Sequence, residues 1–280
     1  MGKQRSGLVT HRRAYGCNCG SVQTTSESEP EPEPPPPPQI VSTDLLIHFE
    51  ANDPNSYPGY GVTWFNIGTG GSAYDATLQS DMPPVFVDET IKSFLYEQYS
   101  LPDSEAYTSH NYISFPRPDA ISDDFTYCAW IKTTNVGYDF NHYNLMYIVS
   151  TETGDLNNDF GFGLDANGCL AYGDGAYGAS DITISSSQPV NTGTWTFVAV
   201  TREKATGAVV LYINGVPDAY GTCNIGNTLS TANYVLIGSE TDFPGRTFGG
   251  YIGAILGNTS VLTPEDILNN FNAQREIYGV

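Results

Sequence analysis

The chain has 280 residues, a formal net charge of −20, and 19 Tyr, 13 Phe, 29 Gly and 18 Pro. No stretch approaches the ~20 continuous apolar residues of a helical bilayer span, which excludes that class of membrane protein. A composition rich in aromatics, Gly and Pro argues for β structure, as one large domain or two small ones.

The charge is unevenly placed. Lys3, Arg5, Arg12 and Arg13 make residues 1–20 basic, four Glu follow within 27–33, and residues 40–280 hold 7 basic and 27 acidic residues. Such an acidic body repels phosphate backbones and anionic membranes over roughly 8–10 Å. No nucleic-acid partner is therefore expected through it. Five cysteines, an odd number, argue against a disulfide framework, and Cys128 and Cys169 fit buried free thiols. The N-terminus lacks an apolar leader core, so assembly in a reducing cytoplasm is expected.

Residues 1–39 read as an extended arm, basic and then Pro/Glu-rich, ending in the five prolines Pro34 to Pro38. Polyproline of this kind acts as a stiff spacer between the basic leader and the folded body, at ~3.1 Å per residue. Met1 to Ser6 fit a myristoylation pattern with Gly2 as acceptor, and only such acylation would bring the chain to a membrane. Cys17-x-Cys19 is too small a ligand set to make a metal site alone.

Residues 40–280 read as the folded domain. Strands are expected at 45–51, 62–65, 94–99, 111–115, 125–132, 145–151, 159–164, 168–172, 181–185, 194–201, 208–213, 233–238 and 249–256. Turn signals separate them, the pattern of a sandwich or barrel. The stretch TWTFVAVTREKATGAVVLYING (194–215) is the clearest hairpin, with a polar loop from Arg202 to Gly207, one face on a core and the other partly wet. Trp64, Trp130 and Trp195 are placed within strands, in the core. Thr263 as N-cap, Pro264 at the first position and Glu265-Asp266 in the first turn open one helix, with Ile267, Leu268 and Phe271 as its apolar stripe.

Four stretches carry a family resemblance: LLIHFEANDPNSYPGYGVTWFNIGTGG (45–71), FTYCAWIKT (125–133), the hairpin with its adjoining Val216, and GGYIGAILGNTSVLTPEDILNNFNAQREIYGV (249–280). Together they resemble the concanavalin A-like, laminin-G-type jelly-roll domains of viral and phage structural proteins and of secreted multidomain proteins. The resemblance implies an all-β, two-sheet antiparallel sandwich with a short C-terminal helix. It implies little about activity, because this fold carries many functions.

Three kinds of chemistry come into question. Glucan hydrolysis needs paired carboxyl groups about 5–5.5 Å apart, which an E-x-D-x-(x)-E strand supplies. Asp88-Glu89, Asp103/Glu105 and Glu240/Asp242 come nearest and lack the third acid, and His11, His48, His110 and His142 form no recognisable pair, so no enzyme is expected. Calcium is a candidate cofactor at Asp155, Asn157 and Asp159, oxygen ligands at alternate positions, although an Asx-rich turn explains the spacing equally well. Sugar binding is the third. Tyr57, Tyr60, Tyr138, Asn141, His142 and Tyr143 gather aromatic faces and amides in expected loops, although Tyr also serves to fill loop cores. Asn258-Thr259-Ser260 is a glycosylation sequon of use only in a secreted protein.

The resulting expectation is a non-enzymatic structural component of a virus particle (minor capsid, decoration or attachment protein). It would be assembled in the host cytoplasm, held to other capsid or virion proteins by residues 1–39, and free to touch host glycans. The alternative is an extracellular or surface lectin-like module.

Overall fold

The structure, a computed structural model, describes residue 16 and residues 37–79, 82–98, 111–153, 158–175, 181–240 and 246–280. Gly2, the Cys17-x-Cys19 pair, Asp155 and Asn157 lie outside these described residues. Pro37–Val280 is one compact unit built on two antiparallel sheets.

In chain order the strands are β1 (Leu45–Glu50), β2 (Thr63–Trp64), β3 (Ala76–Leu78), β4 (Val85–Val87), β5 (Ser93–Tyr96), β6 (Ile113–Pro116), β7 (Phe125–Lys132) and β8 (Met146–Ser150). They continue as β9 (Phe160–Leu164), β10 (Cys169–Asp174), β11 (Ile182–Pro189), β12 (Thr196–Arg202), β13 (Ala208–Ile213), β14 (Val216–Thr222), β15 (Tyr234–Ile237) and β16 (Gly250–Asn258), before the helix α1 (Pro264–Gln274). One sheet runs β14-β13-β12-β7-β16-β5-β4, with β1 also paired to β16. The other runs β11-β10-β9-β8-β15-β6-β3-β2. We call them the first and second sheets.

Period-two alternation explains the first sheet. Tyr127, Ala129 and Ile131 on β7, and Val198 and Val200 on β12, point between the sheets into the main core. Their neighbours Cys128, Trp130, Phe197 and Ala199 point the other way into a second core with Ile267 and Phe271 of α1 and with Tyr278. The hairpin is therefore dry on both faces over β12, because α1 and the C-terminal tail cover the face the sequence leaves wet. Trp130 stacks on Tyr278 at 4.3 Å, and Gly253 makes room, since a Cβ there would lie 2.5 Å from the Tyr278 ring.

The helix starts as its sequence indicates. Thr263 accepts from the Asp266 N–H at 3.2 Å and the Asp266 carboxylate accepts from the Thr263 N–H at 3.0 Å, a capping box with Pro264 at the first position. Three sequence expectations need correction. Trp195 precedes β12 and is half-buried against Tyr278. Cys169 is half-buried, while Cys128 and Cys223 are buried thiols. Arg202, read as part of a polar loop, ends β12 fully buried, its Nε 3.1 Å from the Asp174 carboxylate on β10.

Candidate functional site

The outer face of the second sheet positions the polar chemistry. Ile113, Phe115, Val235, Ile237, Phe160, Phe162 and Tyr172 point inward to the main core. Alternation therefore turns Ser114, Leu236, Gly161 and Gly173 outward. Registers Thr77↔Ser114↔Leu236↔Ser150↔Gly161↔Gly173↔Thr183 join these into one row of mostly small or hydroxyl residues across seven strands.

Half of this row is covered and half is open. The β7–β8 connection crosses the glycines: a Cβ at Gly173 would lie 2.5 Å from the Cβ of His142, and one at Gly161 would lie 2.6 Å from its carbonyl oxygen. The His142 N–H donates to Thr183 Oγ1 at 2.8 Å, and its carbonyl accepts from Tyr147 Oη at 3.1 Å. Over β3, β6 and β15 the face forms a groove of about 570 Å³ lined by Thr77, Gln79, Tyr112, Ser114, Asn233 and Tyr234 among others. Tyr234 is 55% exposed. Gln79 Nε2 donates to Ser114 Oγ at 3.0 Å, fixing an amide among hydroxyls.

Thr153 also lines the groove, and its N–H donates to Asp159 Oδ2 at 3.2 Å. There the groove adjoins a buried cluster. A ring nitrogen of His142, an oxygen of Glu152 and an oxygen of Asp159 lie within 4.8 Å of one another. Exposures of 1%, 6% and 1% put all three residues inside the protein. His142 Nε2 is 3.5 Å from Glu152 Oε2, a contact that is an ion pair only if the imidazole is protonated. Burial pushes the His142 pKa down to about 4, outweighing the Asp181 charge, so at neutral pH the ring is uncharged. Burial raises both carboxyl groups, with Asp159 and Glu240 adding repulsion at Glu152 and Asp181 adding it at Asp159. Arg246 lies 2.9 Å from Glu240 Oε1 and also donates to the Tyr143 carbonyl. Glu152 Oε2, Asp159 Oδ1 and His142 Nδ1 are buried without hydrogen-bond partners.

A model of the concanavalin A-like lectin/glucanases superfamily matches residues 107–268, more than half of the chain. The chain belongs to that superfamily. No curated protein matches it in sequence. Among solved structures it is similar to the binding domain of botulinum neurotoxin DC in complex with SialylT, at 14% identity and a TM-score of 0.57, covering 83% of this chain and 52% of that one. It is similar to a Trypanosoma rangeli sialidase at 14% identity and a TM-score of 0.54, covering 84% of this chain and 33% of that one. It is also similar to domain 4 of an extracellular arabinanase from Geobacillus stearothermophilus, in complex with arabinotriose, at 19% identity and a TM-score of 0.52, covering 81% and 98%. The chain thus spans about half of the toxin binding domain and a third of the sialidase. At 14–19% identity these likenesses are likenesses of fold.

Within this superfamily fold, the six residues expected to bind sugar do not form one site. Tyr57 is 5% exposed, packs on Phe86 and Phe94 at 4.7 and 4.9 Å, and donates to the Gly61 carbonyl, so it fills the core of its loop beside the first sheet. Tyr60, in the same loop, is 77% exposed. Tyr138, Asn141, His142 and Tyr143 belong instead to the β7–β8 connection, where Asp139 accepts from Asn141 Nδ2 at 3.1 Å and from the Phe140 N–H at 2.7 Å. Tyr138 and Tyr143 keep partly exposed rings, and His142 is buried and cannot face a sugar. Of the three expected calcium ligands only Asp159 is described, and it sits in the buried cluster. Sequence reading missed Glu152 and Asp181, which share no motif with His142 or Asp159, and missed Tyr112 and Tyr234, whose convergence depends on strand pairing.

Proposed function

We propose that residues 40–280 are a non-enzymatic carbohydrate-binding module, with the groove over β3, β6 and β15 as the sugar site. The carrying observation is the groove itself. It is an open sheet face where exposed Tyr234 offers a ring for a sugar's apolar face and Thr77, Gln79, Ser114 and Asn233 offer hydroxyl and amide partners. On the first sheet, α1 and the C-terminal tail cover the outer face over β7, β12 and β16. The arabinanase domain bound to arabinotriose is nearly all covered by this chain and supports a free-standing sugar-binding fold. Against hydrolysis, Glu152 and Asp159, which lie together among the described residues, are both buried.

The test is binding of the full chain to arrayed oligosaccharides, with arabino- and sialo-oligosaccharides included. At least one class should bind, and Tyr234→Ala should weaken it by about 1–2 kcal/mol, roughly 5–30-fold, with the melting temperature unchanged. An empty array, or a variant that binds equally well, overturns the groove. Release of reducing ends overturns the non-enzymatic reading. A role for residues 1–39 in holding the module to a larger assembly is part of the same proposal, tested by co-sedimentation of full-length and truncated chains with that assembly.

A further inference from the structure

We propose that His142, Glu152 and Asp159, with Asp181 as a fourth donor, bind one divalent transition-metal ion of the zinc class beside the groove. Such a site stands whether or not the groove takes a sugar. Gly175 marks the spot. A point one Cβ above it lies 3.1 Å from Asp159 Oδ1, 3.5 Å from Asp181 Oδ1 and 3.7 Å from His142 Nε2, so three ligand-type atoms converge where this residue has no side chain. Glu152 Oε2 reaches the same region, 3.5 Å from His142 Nε2. Donors held about 2.0–2.2 Å from a tetrahedral ion stand roughly 3.3–3.6 Å apart. The His142–Glu152 pair already has that spacing, and small side-chain rotations close the rest.

Charge points the same way. Two buried carboxyl oxygens, Glu152 Oε2 and Asp159 Oδ1, aim into this space with no hydrogen bond to satisfy them. His142 turns Nε2 into the same space, 3.5 Å from Glu152 Oε2. Arg246 pairs with Glu240, and its charge also reaches Glu152. A divalent ion would satisfy the two carboxyl oxygens that this arrangement leaves without hydrogen bonds. The donor set selects its type: an imidazole nitrogen among carboxylates suits zinc or its first-row neighbours, whereas calcium takes six to eight oxygens and magnesium keeps its waters. Asp181 is exposed and marks the side from which the ion enters.

The experiment uses the full chain, stripped with chelator and titrated with ZnCl₂, MnCl₂ or CaCl₂ by calorimetry and thermal melting. One zinc per chain should bind and, at about 100 times its Kd, raise the melting temperature by about 5–10 °C, while calcium gives no shift. Asp159→Asn, close in shape and lacking a buried charge, should lose zinc binding while melting at or above the stripped wild type. Because Cys17 and Cys19 are themselves metal ligands by type, a Cys17→Ser/Cys19→Ser chain is run beside it and should keep the zinc. The proposal is overturned if zinc neither binds nor shifts the wild-type melt, leaving a buried carboxyl–histidine cluster only. It is equally overturned if Asp159→Asn binds zinc as well as wild type, or if calcium alone stabilises the chain.

Discussion

His48 on β1 shows how burial sets a residue's behaviour. Its N–H donates to Asn66 Oδ1 at 2.8 Å, but its ring Nε2 is buried without a partner, and burial holds its pKa down at about 4 against the raising effect of Asp53. An unfolded histidine takes up a proton near pH 6.5, so the depressed native value makes acid favour the unfolded chain. The stability is complete above about pH 6.5 and is lost as the pH falls from there to about 4, by up to roughly 1.4 kcal/mol per pH unit. Urea titrations between pH 7 and 4.5 should show His48→Gln losing stability less steeply than wild type; parallel curves would refute the assignment. Tyr57 teaches the converse lesson about single residues. A tyrosine in a turn-rich stretch reads as exposed, yet ring packing on Phe86 and Phe94 decides otherwise, and nothing in its local sequence distinguishes it from the exposed Tyr60.

At the scale of elements, α1 and the tail are fastened by one polar network. Glu50, 6% exposed, accepts from Tyr278 Oη at 3.0 Å, from Gln274 Nε2 at 2.9 Å and from the Asn52 N–H at 3.0 Å. Trp130 Nε1 donates to Gln274 Oε1 at 3.2 Å, tying the same network to β7. Tyr278→Phe removes one donor to a buried carboxylate and should cost about 1–3 kcal/mol in chemical denaturation. An undiminished midpoint would mean that the remaining donors suffice. Elements were legible where side chains alternate and caps are local, as in β7, β12, β13 and the Thr263–Asp266 box. β14 was missed because Pro217 and Gly221 break the strand signature, and such residues are tolerated there because β14 lies at the end of its sheet. β3 and β4, three residues each, are too short to show a period.

Across the whole molecule, Arg202 joins the two sheets. Its Nε meets Asp174 at 3.1 Å, and its other nitrogens donate to the Asp123 and Asn227 carbonyls at 2.6 and 2.8 Å, while Asp174 also accepts from the Asn224 N–H at 3.1 Å. Truncation to Arg202→Ala strands a buried carboxylate and should cost about 3–5 kcal/mol, read as a lowered urea midpoint. A loss below about 1 kcal/mol would show that solvent reaches Asp174. Since Pro37–Val280 holds its own core, a chain starting at Pro37 should melt where the full chain does; a lower melting temperature would assign the preceding residues a structural role. By itself the sequence determined the β class, the family likeness, the hairpin and the capped helix, because strand alternation and capping act between residues close along the chain. Only the tertiary structure decided that a helix dries the outer face of the first sheet, that a tyrosine-edged groove opens on the second, and that His142, Glu152, Asp159 and Asp181 meet over Gly175. Those outcomes rest on register and strand order between distant segments, which pairing and packing fix and local spacing does not encode.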